Sequence, residues 1–471
     1  MEFNLTAFIF NPFVLIFLVM TLGNLFGRIK FGKFNFGITG TLFVGLFVGY
    51  LLTKYGVTFA ETSSYYARAQ SVIRGKVIGR PILFFSLLIF IIATGLLAAK
   101  DMRYAIRKFG RQFVMLAILV PFIGAVSSYG LSKLFAGVSP YQITGTYTGA
   151  LTSSAGLAAA IESSELESKR LTVEFPDLKE ESRTKILAII NKANIRDAEL
   201  QHKEIPETLT IDNTKVIDEK DAETFILEAK AGVGVGHSIG YPFGVLFLIL
   251  GVNFIPKLFG FSPEEEKKKY FAQKKKDLEE AGVEENQVPE VKMDFVAFSL
   301  AGFLGYFLGS IKFHIGPLGT LGLGSIGGSI IVSLILGSIG KIGPINFRMN
   351  SDILGKMRTY FLAIFLAGTG VNYGYRVVQA ISGDGISIVV VSILVAIISI
   401  LIAFLVGHYI FHINWMLLSG AITGGMTSAP GLGAAIDAVG CDEPAIAYGA
   451  TQPLATLFMV IFSIIIHKLP I

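Results

Sequence analysis

Apolar residues fall along this chain in two runs of six segments, with a polar stretch between the runs. The first six lie near 12–29, 34–53, 81–99, 112–135, 140–162 and 233–256; the second six lie near 293–312, 317–339, 357–375, 385–408, 413–437 and 444–467. Each is roughly twenty residues long, which suits an α-helix crossing the hydrocarbon of a bilayer. The fifth segment of each half is different, because a polar, glycine-containing stretch interrupts it. Residues 148–162 read TGALTSSAGLAAAIE and residues 423–437 read TGGMTSAPGLGAAID, identical at nine of fifteen positions at an offset of 275. Ser-Ser-Ala-Gly and Ser-Ala-Pro-Gly predict a helix break near the middle of each segment.

The halves echo one another elsewhere. Thr94-Gly95 falls on Thr369-Gly370 at the same offset, and Leu25-Phe26-Gly27-Arg28-Ile29-Lys30-Phe31 resembles Phe307-Leu308-Gly309-Ser310-Ile311-Lys312-Phe313. Tyr241-Pro242-Phe243 matches Gln452-Pro453-Leu454 at an offset of 211, so the first half carries 64 more residues between its fifth and sixth segments. The order of matches is preserved, which points to duplication. The chain therefore divides into a first membrane repeat (1–162, with 232–256 as its sixth segment), a polar inserted small domain (163–231), a charged helical linker (257–292) and a second membrane repeat (293–471). Within the insertion, Lys179–Asn191 predicts a helix with Ile186, Ile189 and Ile190 on one face. In the linker, Ser262-Pro263-Glu264-Glu265 is a helix start and the helix should end near Gly282.

Composition agrees with a membrane body. The chain is 52% hydrophobic and 16% charged, with 52 glycines and a mean hydropathy of +0.62. The single cysteine, Cys441, excludes an intrachain disulfide or a multi-cysteine metal site. Basic residues then give orientation. If the fifth segments dip in and return to the same side, the loops at 28–33, 100–111, 257–292 and 341–358 share one face and hold 20 Lys and Arg, against nine elsewhere outside the insertion. That face should be cytoplasmic. If all twelve segments cross, the linker is still inside and the insertion still outside. The dipping arrangement is the better physical reading, since non-helical backbone at membrane depth persists only where protein or a wet cavity satisfies it. The fold class expected is an all-α polytopic membrane protein made of two inverted repeats, each of about five spanning helices plus one re-entrant broken helix.

A helix break leaves N–H groups that attract anions and carbonyls that suit a cation such as sodium. Thr152, Ser153, Ser154 and Gly156 in one copy, and Thr427, Ser428, Pro430 and Gly431 in the other, are thus the candidate substrate-binding set. Tyr241-Pro242 and Gln452-Pro453 would wall or hinge the same cavity, with His237 and Tyr448 about a turn upstream. Thr94, Thr369, Asn372 and Arg376 sit late in the third segments and could face it; for Arg376 two readings stand, pairing with a substrate carboxylate or reaching for the membrane interface. The plain alternative for the small and hydroxylated residues is close helix packing, and Gly45/Gly49 and Gly324/Gly328 read as packing or dimerisation surfaces. No Asp or Glu lies inside an apolar core segment, which disfavours proton antiport. No catalytic motif, nucleic-acid-binding pattern, cofactor loop or metal-ligand cluster is present.

The motifs TGALTSSAGLAAAIE, GYPFGV (240–245), TGGMTSAPGLGAAID and PAIAYGATQPLA (444–455) resemble the aspartate–alanine exchanger family of bacterial secondary transporters. The resemblance covers both membrane halves and is densest at these motifs. It implies exchange or export of small amino or dicarboxylic acids such as aspartate, alanine or succinate, no cofactor, and an inner (plasma) membrane location. It also implies an elevator-like core moving against a scaffold in a homodimer. The alternative within transport is a sodium-coupled acid symporter, and outside it a small-solute channel or sensor. The chain departs from the family pattern in lacking the regulatory domain pair between the halves, in carrying the 163–231 insertion, and in having Gln452 where the family has tyrosine.

Overall fold

The structure is a computed structural model. It describes residues 4–29, 37–59, 62–63, 65–73, 77–99, 102–134, 139–200, 204–280, 288–314, 320–322, 324–382 and 385–469. The fold among the described residues is all-α apart from two short antiparallel ribbons, Lys312–His314 with Thr320–Gly322 and Lys341–Ile342 with Ile345–Asn346. Among the described residues, five helices are long and apolar enough to cross a membrane: Arg80–Ala98, Tyr104–Ser132, Glu219–Leu258, Ile386–Ile410 and Pro444–Lys468. Shorter apolar helices, among them Pro12–Gly27, Phe295–Ser310 and Gly324–Ile339, accompany them. Large apolar side chains such as Phe13, Phe47, Phe85 and Phe303 remain exposed, as expected where lipid is the solvent.

Local chemistry sets the helix starts. Asn11 precedes Pro12 and its side chain accepts from the Phe13 and Val14 amides. Asp294 caps Phe295–Ser310 through the Ala297 amide. Ser139 and Gln142 form a reciprocal capping box at Pro140–Ala150, and Asn414 caps Trp415–Gly425.

Helices from the two halves interlock. Gly40–Gly56 packs along Ser351–Ser382, and Gly324–Ile339 packs along Arg80–Ala98, so the second segment of each half meets the third of the other. Glycines permit the contact. A Cβ on Gly49 would lie 2.2 Å from the Val371 carbonyl oxygen, and one on Gly374 would lie 2.1 Å from that of Leu46. Gly45, Gly49 and Gly328 are therefore spent on packing inside the chain, Gly328 against Gly305 and Gly309. Gly420→Ala is expected to lower the unfolding temperature clearly, since its Cβ would fall 1.8 Å from the Pro444 carbonyl oxygen. Overpacking of this kind costs about 1–3 kcal/mol, and a melt followed by tryptophan fluorescence checks it.

The residues between the fifth and sixth segments extend helices Ser154–Val173 and Glu219–Leu258 and add a third, Glu180–Leu200. Ser154–Val173 and Glu219–Leu258 pack on one another, Glu180–Leu200 lies against Glu219–Leu258, and side chains of all three join one apolar cluster. Phe175, Ile186, Ile190 and Phe225 make its small core. The predicted isoleucine face is the buried one: Ile186 and Ile190 are enclosed and Ile189 is partly so.

The linker helix is Pro263–Glu280. Asp277 accepts from Tyr104 Oη (2.8 Å) and Gln273 Nε2 (2.6 Å), and is paired with the Lys108 ammonium. Lys108 first, then Tyr104 and Gln273, hold the Asp277 carboxyl down at about 2. A depressed carboxyl adds stability above its unfolded value of 3.8 and loses it as pH falls toward about 2. Asp277→Asn should accordingly flatten the acid limb of the stability curve across that window, measured as unfolding temperature against pH.

Candidate functional site

Each duplicated motif folds as a hairpin. The first has arms Pro140–Ala150 and Ser154–Val173, the second Trp415–Gly425 and Ala429–Val439. Both double back. In the first, Tyr141 near the start of one arm and Ser163 on the other both meet His467, by ring contact at 5.7 Å and hydrogen bond at 2.9 Å. In the second, Asn414 and Gly440 at the two roots contact neighbouring residues of the linker helix.

Helix Glu219–Leu258 relates the two hairpins. It is 40 residues long, about 60 Å at ~1.5 Å per residue. Phe225, near its start, packs on Tyr141 at the first root. The second root lies against the residues that follow its C-terminus, with Phe261 beside Trp415 at 5.7 Å. The hairpins thus enter from opposite ends, and their tips meet near Tyr241.

The tips brace one another reciprocally. Thr152 Oγ1 donates to the Met426 carbonyl (3.0 Å), and Thr427 Oγ1 donates to the Leu151 carbonyl (3.3 Å). Thr152 and Thr427 adopt left-handed φ values of 56° and 53°. That region is unfavourable for a β-branched residue, and such strain persists where surrounding contacts enforce it. One residue on, Ser153 and Ser428 are N-caps whose hydroxyls accept from the Gly156 (3.1 Å) and Gly431 (3.2 Å) amides. The first amides of the new helices, Ser154 and Ala155 in one tip and Ala429 in the other, have no intrahelical acceptor. Pro430 removes the fourth such donor.

A cavity of about 360 Å³ lies at this junction. Thr152, Ser153, Ser154, Thr427, Pro430, Tyr241, Thr369 and Gln452, all expected from the sequence, line it together with Ala155 and Ala429. Its other walls come from Arg80, Phe84, Ser325, Phe365, Tyr373 and Thr456, which sequence reasoning missed. Tyr241 and Tyr373 stack at 5.5 Å. Thr456 Oγ1 donates its one proton to the Gln452 carbonyl (2.9 Å), so it accepts from Gln452 Nε2 (3.0 Å) and fixes the amide's orientation. Among the described lining residues Arg80 is the sole charged group, and it is exposed. A sequence signal for it existed: an arginine at the first turn of an apolar helix opposes the helix dipole, a local conflict that often marks a functional position.

Other expected residues are placed elsewhere. Gly156, Ser428 and Gly431 support the tips from behind through the caps. Pro242, Tyr448 and Pro453 lie in the helices backing the cavity, with Tyr448 fully enclosed. Thr94 is buried and donates to the Phe90 carbonyl (2.6 Å). Asn372 pairs with both backbone groups of Ile78 (3.1 and 2.9 Å), completing the entry to helix Arg80–Ala98. His237 shares a 3.0 Å hydrogen bond with Thr148. The side chain of Arg376 lies outside the described residues.

A helical membrane body with a cavity of mixed apolar and hydroxyl-bearing walls between two broken-helix tips is the architecture of a permease. The chain belongs to the aspartate–alanine exchanger family, whose model, described as a predicted permease membrane region, matches residues 15–257 and 297–468. It is similar to an uncharacterized transporter of Bacteroides thetaiotaomicron, 23% identical over 548 aligned positions that cover 97% of this chain and 98% of the relative. A Bacteroides fragilis transporter is 24% identical with the same coverage. One from Geobacter sulfurreducens is 34% identical over 167 residues, 35% of this chain and 31% of the relative. The protein is a multi-pass membrane transporter.

Proposed function

We propose that this transporter exchanges or exports small organic anions, amino acids such as aspartate or alanine or dicarboxylates such as succinate, by alternating access. The observation that carries the reading is the composition of the cavity. Arg80 lines it together with Ser154, Ala155 and Ala429, whose helix-start amides lack an intrahelical acceptor, and no carboxylate is present among its described lining residues. A carboxylate takes such donors as charge-assisted hydrogen bonds. At about 360 Å³ the space admits a small acid with several waters, at ~30 Å³ for each water.

In this reading the two hairpins are re-entrant elements of inverted repeats, meeting at the bilayer midplane. In this assignment the hairpins, Met102–Ser132, Glu219–Leu258, Ile386–Leu405 and Pro444–Lys468 form the moving unit, whose apolar core runs on into Leu42, Phe90, Ile91, Leu334 and Leu366 of the remaining helices. Pro12–Gly27, Gly40–Gly56, Arg80–Ala98, Phe295–Ser310, Gly324–Ile339 and Ser351–Ser382 form the scaffold of a homodimer. Arg80, Thr369 and Tyr373 then belong to the scaffold and the tips to the core, so the cavity is split between the parts that move. The count of basic residues in the loops supports a cytoplasmic linker and a 163–231 region on the outer face of the plasma membrane.

Counterflow of labelled aspartate into proteoliposomes preloaded with aspartate, alanine or succinate tests this. Saturable, sodium-independent exchange is expected. A requirement for a sodium gradient would replace the exchanger with the symporter, non-saturating flux would indicate a channel, and binding without flux a sensor.

A further inference from the structure

We infer that the linker helix Pro263–Glu280 is a positioning element for the second tip, with Glu266 and Lys267 as its positioning residues. The inference rests on the reading of the tips as the substrate site. The family match skips residues 258–296, so this device is read from the present chain alone. In a helix dominated by exposed charges, Glu266 is buried at 8% exposure. Its carboxylate Oε2 accepts from Asn414 Nδ2 (3.0 Å) and from the Trp415 amide (3.5 Å), and its carbonyl accepts from the same Asn414 amide group (2.9 Å). Asn414 is itself the N-cap of Trp415–Gly425, through Met416 N. The next residue, Lys267, donates from Nζ to the Gly440 carbonyl (2.5 Å), just past the end of Ala429–Val439.

The two contacts match the helix ends they touch. An anion sits at the N-terminus of the ingoing arm and a cation at the C-terminus of the outgoing arm, the favourable sense for both helix dipoles. Adjacent residues of one helix therefore hold both roots of one hairpin. Tyr270 is buried one turn on, Phe261 stacks on Phe404 and His408 (6.0 and 5.5 Å), and Asp277 ties the far end to Tyr104 and Lys108. Each arm of the second hairpin is 11 residues, about 16 Å of stiff helix, so a displaced root moves the tip. The tip has little slack: Thr427 reaches Leu151 at 3.3 Å.

The test uses the full chain in lipid nanodiscs and proteoliposomes, with Glu266→Ala, Glu266→Gln and Lys267→Met. In Glu266→Ala, amide hydrogen exchange over residues 426–432 should quicken about tenfold, and over 151–157, which share the brace, clearly less, as opening that starts in one hairpin requires. KM for exchange should rise about tenfold with the maximal rate held within about threefold, the mark of a misplaced binding group. Glu266→Gln keeps an acceptor for Asn414 and Trp415 and should restore both readouts. Lys267→Met should show the same asymmetric exchange pattern more weakly, and serves if Glu266→Ala does not fold. Unchanged exchange at the second tip, or an equal rise at both tips, overturns the inference. If the asymmetric exchange pattern holds while no acid moves in the unaltered protein, the linker's role stands and the transport reading falls.

Discussion

Arg80→Gln is expected to raise KM for labelled aspartate counterflow by roughly 10- to 100-fold, corresponding to the ~1.5–3 kcal/mol of a hydrogen bond to a charged group. The reason is local. Arg80 is the one charged side chain among the described residues lining the cavity, and the other donors there are neutral amides and hydroxyls. Removing it leaves a substrate carboxylate held by partial charges alone. Arg80→Lys should recover only part of the affinity, because an ammonium keeps the charge but loses the planar fork that meets both carboxylate oxygens. The measurement is KM and maximal rate in proteoliposomes beside an unfolding melt. A KM unchanged in Arg80→Gln would sink the assignment of Arg80 to the substrate and, with it, the argument that the cavity selects anions.

The second large effect is expected at the brace between the tips. Thr152→Val and Thr427→Val each preserve side-chain shape and remove one hydroxyl, leaving the Met426 or Leu151 carbonyl without its donor. Stranding a buried acceptor costs about 1–3 kcal/mol, so each variant should lose exchange by about tenfold. The two bonds form one reciprocal contact, so the double variant should fall well short of the product of the two losses. Thr152→Ser and Thr427→Ser keep the hydroxyl and should behave nearly as the unaltered chain does. Full additivity in this cycle would mean that the tips do not act as a unit.

The brace also changes how the tip hydroxyls are read. The sequence presents Thr152, Ser153, Thr427 and Ser428 as free groups for a carboxylate. In the fold, the two threonines donate across the junction and the two serines cap their helices. Ser154, exposed and without a capping task, is the hydroxyl left facing the cavity. Both readings follow from the same chemistry, because a hydroxyl near a helix break satisfies whichever backbone group lies closest. Which group that is depends on the other half of the chain, 275 residues away.

The asymmetry between the halves is informative in the same way. The first root is built out into the Ser154–Val173, Glu180–Leu200 and Glu219–Leu258 assembly, while the second is held by two residues of the linker helix. The sequence shows the difference in length plainly. It does not show that Glu266, one of three consecutive glutamates, turns inward whereas Glu264 and Glu265 stay exposed.

What the sequence by itself determined were the properties that depend on neighbours along the chain. These are the twelve apolar segments, the matched motifs of the two halves, the breaks after Thr152 and Thr427, and the membrane class. Apolar run length, glycine and proline placement, and hydroxyls at helix starts act within a few residues, so they can be read in one dimension. The tertiary structure alone decided which side chains share the cavity. Arg80, Tyr373, Ser325 and Thr456 reach it from four different helices, while Asn372 is drawn away to the Ile78 backbone and Thr94 to its own helix. The local Thr94 bond apart, those outcomes follow from how helices of the two halves interlock through their glycines, and a contact between distant segments leaves no periodicity in either one.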